Sequence, residues 1–295
     1  MKAGESGIDY VDFSWGPWRG CRKVAAGCLY CYAERDMKRY GRDHSKLERA
    51  SDATFYAPIA KDRQGHYKWP SGSRVFVCPW SDWFLEDVPI EWHNEAQAVM
   101  RMRRDLTFII PTKRLAQAAP WQGQPNMILL TSVSTQADLD REAPKLLQIS
   151  ADYFPVKGLS LEPLIDPISL RWCSWGWNSQ STTGTNEHDG LRWLDWIVIG
   201  CESGPQRRPC KLAWILDIIE QCKAAKIPCY VKQIPLPKLS KRGRYNAMVE
   251  AITSKSVADW DLACKDHDWT VSRDPSEWPI ALRVRQFPQA RKGAS

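Results

Sequence analysis

Six near-continuous apolar runs constrain this chain more than any other feature. They are RVFVCPW (74–80), LTFIIPTK (106–113), NMILLTSVST (126–135), KGLSLEPLI (157–165), LDWIVIGCESG (194–204) and IPCYVKQI (227–234). Each is short, rich in β-branched residues, and apolar on successive positions rather than alternate ones. A strand apolar on both faces is buried on both, which is the condition of parallel sheets covered by helices. The stretches between the runs read as helices. PIEWHNEAQAVMRMRRD and CKLAWILDIIEQCKAAK have apolar residues at helical spacing, and Leu212, Ile215, Ile218, Ile219 and Cys222 share one face of the second. Alternation of this kind predicts an α/β fold, an irregular or partial (β/α) barrel of about six βα units. The expected organisation is a barrel over 1–235, with a polar loop inserted at 173–192, followed by a C-terminal extension or cap over 236–295.

Composition excludes several classes. No apolar run approaches the roughly 20 residues that span a bilayer, so no membrane partner is expected. The opening MKAGESGIDYVDFSW has no apolar signal core, and the expectation is a cytoplasmic protein. There thiols stay reduced, so the ten cysteines point to metal binding or core packing rather than to disulfides. The net charge of +7 and the basic runs at 101–104, 207–208 and 238–244 hint at a polyanionic partner, against the plainer reading of solvated surface. Most of the sixteen tryptophans suit a core, and some could stack on a base.

The strands end in polar residues: Ser81-Asp82, Thr112-Lys113, Ser134, Glu162, Glu202-Ser203 and Lys232-Gln233. In βα folds the carboxyl ends of the strands hold the site. Ahead of them stands GCRKVAAGCLYCYAERDMKRY (20–40), with Cys21, Cys28 and Cys31 followed by a helix from Tyr32 to Tyr40. The free N–H groups at a helix start favour thiolates and anionic metal–sulfur groups. Three readings compete: an iron–sulfur cluster on three thiolates with one iron open, a closed Cys3His zinc site with His44 as fourth ligand, and three unrelated buried cysteines.

The three-cysteine loop after a first strand resembles that of the radical S-adenosylmethionine enzymes, with C-x6-C-x2-C where those enzymes usually show C-x3-C-x2-C. The motifs WGPWRGCRKVAAGCLYCYAER, VFVCPWSDWF, IIPTKR, LSLEPLID, WIVIGCESGPQRRPC and VKQ are similar to an uncharacterised three-Cys-motif family of phages and mobile elements. The resemblance implies a [4Fe-4S] cluster on Cys21, Cys28 and Cys31 and S-adenosylmethionine at its open iron. Reductive cleavage to a 5′-deoxyadenosyl radical and hydrogen abstraction would follow. It implies an external electron donor and a dedicated partner protein. Asp82, Glu162 and Glu202 are the acids available for the ammonium or ribose of S-adenosylmethionine. Lys113, Arg114 and Lys232 are available for its carboxylate, and Ser132 and Ser134 for the ribose. Gly200 and Gly204 permit close backbone approach. Nucleic acid or a nucleotide is the expected substrate class. The rivals are a zinc- or cluster-stabilised DNA-binding phage protein without catalysis, and a hydrolase using Glu162 and Glu202 as a carboxylate pair. Cys201 and Cys210 read as core rather than as redox thiols, and Trp15, Trp80 and Trp83 as packing or as shielding of a radical.

Overall fold

All six apolar runs form strands in a computed structural model of the chain, which describes residues 5–118, 121–170, 193–237, 254–266 and 269–288. The strands are β4 (Arg74–Val77), β5 (Thr107–Thr112), β6 (Met127–Ser132), β7 (Val156–Leu161), β8 (Trp196–Gly200) and β9 (Cys229–Pro237). Before them come β1 (Phe13–Trp15), β2 (Trp18–Arg19) and β3 (Glu48–Arg49), and after them β10 (Trp269–Ser272). The helices are α1 (Tyr32–Arg39), α2 (Asp52–Phe55), α3 (Ile90–Met102), α4 (Gln136–Gln148), α5 (Leu212–Ala225) and α6 (Ser254–Asp266). The fold is mixed α/β with mostly parallel strands. No described helix is long and apolar enough to cross a membrane.

The chain divides into two compact units. The first takes the described residues up to 132 together with 148–157. The second takes 133–147 and the described residues from 158 onward. The inserted loop expected at 173–192 lies outside the described residues, except that 193 begins the next segment.

In the first unit β1, β4, β5 and β6 lie side by side, all parallel, with Phe13 opposite Val75, Val75 opposite Phe108 and Ile109 opposite Ile128. Both faces are covered, as the apolar pattern requires: Val75, Val77, Phe108, Ile109, Ile110, Leu129 and Leu130 are all fully buried. Trp15 ends β1 in this core, its indole N–H donating to the Phe55 carbonyl at 2.9 Å and its ring against Trp83 and Phe108. Trp15 and Trp83 are thus packing; Trp80 is half-buried against exposed Tyr40, ring centroids 5.7 Å apart.

In the second unit β7, β8 and β9 are parallel, and β10 returns antiparallel to β9. α5 packs its predicted face, with Leu212, Ile215, Ile218, Ile219 and Cys222 all buried. It stops at Lys226 in the left-handed conformation, which satisfies the last carbonyls. Cys201 and Cys210 are buried core thiols, pushed well up by desolvation.

The arrangement is consistent with a partial β/α barrel: among the described residues α3 follows β4, α4 follows β6 and α5 follows β8. Between β5 and β6 the described chain makes only a 3-10 turn at Leu115–Gln117, because the connection is short and punctuated by Gly123 and Pro125. The last pair, β9 and β10, is antiparallel.

The basic runs also need correcting. Arg103 is fully buried and holds the first unit together. It donates to Asp105 at 2.9 and 2.8 Å, to the Trp69 carbonyl at 2.8 Å and to the Pro58 carbonyl, and stacks over Tyr67. Arg208 is turned onto Glu202, and Arg207 lies 4.4 Å over the Trp269 ring. The run at 238–244 is outside the described residues.

His93 of α3 is 2% exposed and enclosed by the rings of Trp18, Trp83 and Trp121, at centroid distances of 4.8, 5.2 and 4.3 Å. Its Nδ1 is buried without a hydrogen-bond partner. Burial lowers its pKa from the ordinary 6.5 to about 4, because nothing replaces the hydration of the imidazolium. Between those values the unfolded chain binds the proton and the folded one does not, so stability rises with pH through that window. His93 should therefore contribute stability in full above pH 6.5 and lose it progressively toward pH 4, with a slope of at most about 1.4 kcal/mol per pH unit. Urea denaturation of the wild type and His93→Phe across that range tests this: the difference in slope should vanish above pH 6.5.

Candidate metal centre and strand-end groups

The thiol loop is fixed by its first residue. Gly20 sits at φ +105°, a conformation L side chains rarely adopt, and a Cβ there would run into the backbone of Lys46 and Leu47. That close approach lets the main chain knit together. Gly20 N–H donates to the Trp80 carbonyl at 3.0 Å, the Ser81 hydroxyl donates to the Gly20 carbonyl at 2.6 Å, and Cys21 N–H donates to the His44 carbonyl at 2.8 Å. Cys28 closes a 3-10 turn, Ala26–Cys28, and Cys31 is the N-cap of α1 with no side-chain cap bond. The Tyr32 hydroxyl ties the start of α1 to the Pro79 carbonyl at 2.7 Å. All three thiols are half-buried and free of disulfides.

Charge around the loop is arranged in opposition. Burial pushes the Cys21 thiol up to about 11, and the nearby Asp82 carboxylate adds to the effect. The Arg114 guanidinium nearby pulls the other way. Its side chain is 5% exposed and also donates to the Arg22 carbonyl at 3.0 Å and to Glu86 at 3.1 Å. Lys23 pairs with Glu34 at 2.8 Å, donates to the Leu29 carbonyl at 3.2 Å, and feels both Cys28 and Cys31. Cations therefore face the thiols from β5 and from within the loop.

Among the described residues no three His, Cys, Asp or Glu side chains stand together as a ready-made metal site. The donors fit a metal in kind: three unpaired, half-buried thiols within eleven residues, with cations to offset thiolate charge. His44 adds a nitrogen donor. Its Nε2 is buried without a hydrogen-bond partner, and burial lowers the imidazole pKa and favours its neutral form. With Cys21 it lines a cavity of about 400 Å³.

The strand-end residues fall into two sets. In the first unit, Asp82 is a brace: Oδ1 accepts from Phe84 N–H at 3.0 Å and the Thr112 hydroxyl at 2.7 Å, and Oδ2 from Lys113 N–H at 2.9 Å. Lys113 is half-buried, and its ammonium has no partner among the described residues. Ser132 is buried at the end of β6. Arg114, expected among the cations for a cosubstrate carboxylate, is paired with Glu86 and donates to the Arg22 carbonyl.

In the second unit Ser134 is buried, and its hydroxyl has no partner among the described residues. Glu162 and Lys232 form an ion pair at 2.7 Å, 13% and 15% exposed, and Glu162 Oε2 also accepts from Ser160 at 3.2 Å. Gly200 lets this carboxylate approach, since a Cβ there would lie 2.8 Å from Glu162 Oε1. Glu202 is 4% exposed and saturated by one residue. Its Oε2 accepts from Arg208 N–H and Nε, both at 2.8 Å, and its Oε1 from Arg208 Nη2 at 2.6 Å. Sequence reasoning missed Arg208; the signal was an arginine six residues past the acid, across Gly204 at φ +112°. Gln233 joins this unit's network, donating to the Cys201 carbonyl at 2.6 Å.

Residues 5–256 match a family described as "Protein of unknown function (DUF5131)". The chain belongs to that family. The DUF5131 match spans the thiol loop and every strand-end residue described above. No curated protein and no solved structure matches the chain.

Two substitutions separate the two glycines that flank β1 and β2. Gly20→Ala is expected to destabilise the first unit by at least about 2 kcal/mol, because strained backbone and a main-chain collision coincide, and to reduce metal bound per chain. Gly16→Ala meets only ordinary contacts at 3.6 Å and should do neither. Denaturation midpoints and metal analysis of the two variants provide the comparison. In the second unit, Arg208→Ala leaves the buried Glu202 carboxylate unpaired and should cost about 3–5 kcal/mol, read from the same denaturation curves.

Proposed function

We propose that this chain is an iron–sulfur enzyme of the radical S-adenosylmethionine kind, acting on nucleic acid or a nucleotide. The observation that supports it best is the thiol loop: Cys21, Cys28 and Cys31 are free and half-buried, and Gly20 fixes the loop beside the carboxyl ends of β1 and β4. When bound, a reduced [4Fe-4S] cluster supplies the electron that cleaves S-adenosylmethionine to methionine and a 5′-deoxyadenosyl radical, which takes hydrogen from the substrate. The chain's own part is positional and electrostatic. The three cysteines would hold the cluster, and three leave one iron for the cosubstrate. The Arg114 guanidinium lies near Cys21 and offsets thiolate charge, while Asp82 holds the ends of β4 and β5 in place. Lys113, in the same unit as the thiol loop and with no partner for its ammonium among the described residues, is the candidate for the cosubstrate carboxylate. Glu202 and Asp82 are already committed to protein donors and are weaker candidates. The net charge of +7 supports the substrate class.

One observation favours a second reading, a zinc-stabilised DNA-binding protein without catalysis. The unpartnered Nε2 of His44, beside Cys21, could close a Cys3His site. Anaerobic reconstitution with iron and sulfide separates the two readings. The expected result is a brown protein with a cluster EPR signal, and dithionite- and S-adenosylmethionine-dependent 5′-deoxyadenosine that is lost in Cys28→Ala. A colourless protein holding one zinc, with zinc lost in His44→Ala, would overturn the enzyme reading in favour of the second.

A further inference from the structure

We propose that the cavity beside Cys21 is a phosphate subsite, which binds the backbone of a nucleotide or polynucleotide next to the thiol loop. The proposal deepens the functional reading above and rests on its substrate class. The cavity, about 400 Å³, receives cations from two directions: Arg22 and Lys23 from the thiol loop, Lys38 from the last turn of α1, and Arg42 from just beyond it. The two carboxylates in its wall are already engaged. Glu34 is paired with Lys23, and Asp43 accepts from the backbone N–H and hydroxyl of Ser45. The Lys38 ammonium has no carboxylate partner among the described residues. Arg22 is paired with Asp87, and Arg42 spends one nitrogen on Glu48, at 3.1 Å. The buried Nε2 of His44, unpartnered, completes the wall.

A guanidinium fork, an ammonium point charge and an imidazole nitrogen in one concavity suit an anion with several acceptor oxygens. A nucleic-acid source is favoured over free phosphate by Tyr40. It lies between Lys38 and Arg42 in the chain, is 69% exposed, and is propped against Trp80 at 5.7 Å. An exposed, supported ring beside a phosphate site is the arrangement on which a base stacks.

The test is fluorescence anisotropy of a labelled short single-stranded oligodeoxynucleotide, with the metal-loaded full chain, across a series of salt concentrations. The variants are Lys38→Gln, Arg42→Gln, the double variant, and Tyr40→Ala, with Lys61→Gln as an exposed control. Two lost phosphate contacts should weaken binding at least tenfold and make the slope of log K against log salt shallower by about 1.4. Tyr40→Ala should weaken the oligonucleotide several-fold while leaving competition by inorganic pyrophosphate unchanged. Wild-type binding that the double variant does not weaken would overturn the proposal, as would no binding by the wild type. Pyrophosphate binding alone, unaffected by Tyr40→Ala, would overturn the nucleic-acid source. Should the double variant fold poorly, Lys38→Gln decides, since Lys38 makes no ion pair with a described residue that its loss would break. The same samples report on the functional reading separately. Cluster absorbance that survives in the double variant while binding is lost supports the subsite. A zinc protein whose binding is still lost in that variant keeps the subsite and overturns the enzyme.

Discussion

The buried carboxylate of Asp82 is the interaction on which the first unit's candidate site depends. A carboxylate taken from water is costly unless its oxygens are satisfied. Here Phe84 N–H, Lys113 N–H and the Thr112 hydroxyl satisfy them, and the Asp82 carbonyl receives the Trp18 indole N–H at 3.3 Å. The side chain thereby ties the end of β5 to the turn after β4, and the backbone carbonyl of the same residue adds the strand that leads into the thiol loop. The cost appears next door, because the same charge disfavours thiolate at Cys21. The compensation comes from the same strand end. Arg114, two residues past Thr112, brings a buried guanidinium to Cys21 and to the Arg22 carbonyl. Structural acid and compensating base are separate jobs for adjacent residues.

The second unit solves its buried charges differently, pair by pair. Glu202 is closed by Arg208 with three donors, which leaves it no free oxygen to attack or to protonate a leaving group. That weakens the hydrolase alternative, which needs Glu162 and Glu202 as working partners. Glu162 is the more available acid: its pair with Lys232 uses one oxygen, and Ser160 makes only a 3.2 Å bond to the other. Acids that look equivalent at strand ends thus differ in what they can still accept.

How far the sequence could be read follows from where the partners lie. The six strands are legible because both faces are apolar over consecutive residues, and α5 because its apolar stripe is local. α4 is harder to read, since Pro144 inside it argues against a helix. Arg103 is illegible in principle: within RMRR it looks solvated, and its carbonyl partners are 34 and 45 residues away. Cys21, Cys28 and Cys31 stand out by spacing, whereas Arg114's role toward Cys21 depends on a fold that brings residues 93 positions apart together. Asp82 stands out as a strand-end acid, but nothing local says that its oxygens are used by the protein itself.

The count of three thiols leaves the fourth position to be decided by surroundings. A closed structural zinc site is compact and finishes its own charge balance, with every donor turned to the metal. Around Cys21 the surroundings are of another kind. Arg22, Lys23 and Arg42 each have a carboxylate partner, Asp43 is held by Ser45, and the Lys38 ammonium has no partner among the described residues. An ammonium without a carboxylate partner at the wall of a concavity is a ready contact for a visiting anion. His44 is compatible with either arrangement, because its Nε2 can meet a metal or a ligand oxygen. The unpartnered Lys38 ammonium suits a ligand from outside, as the proposed phosphate subsite requires.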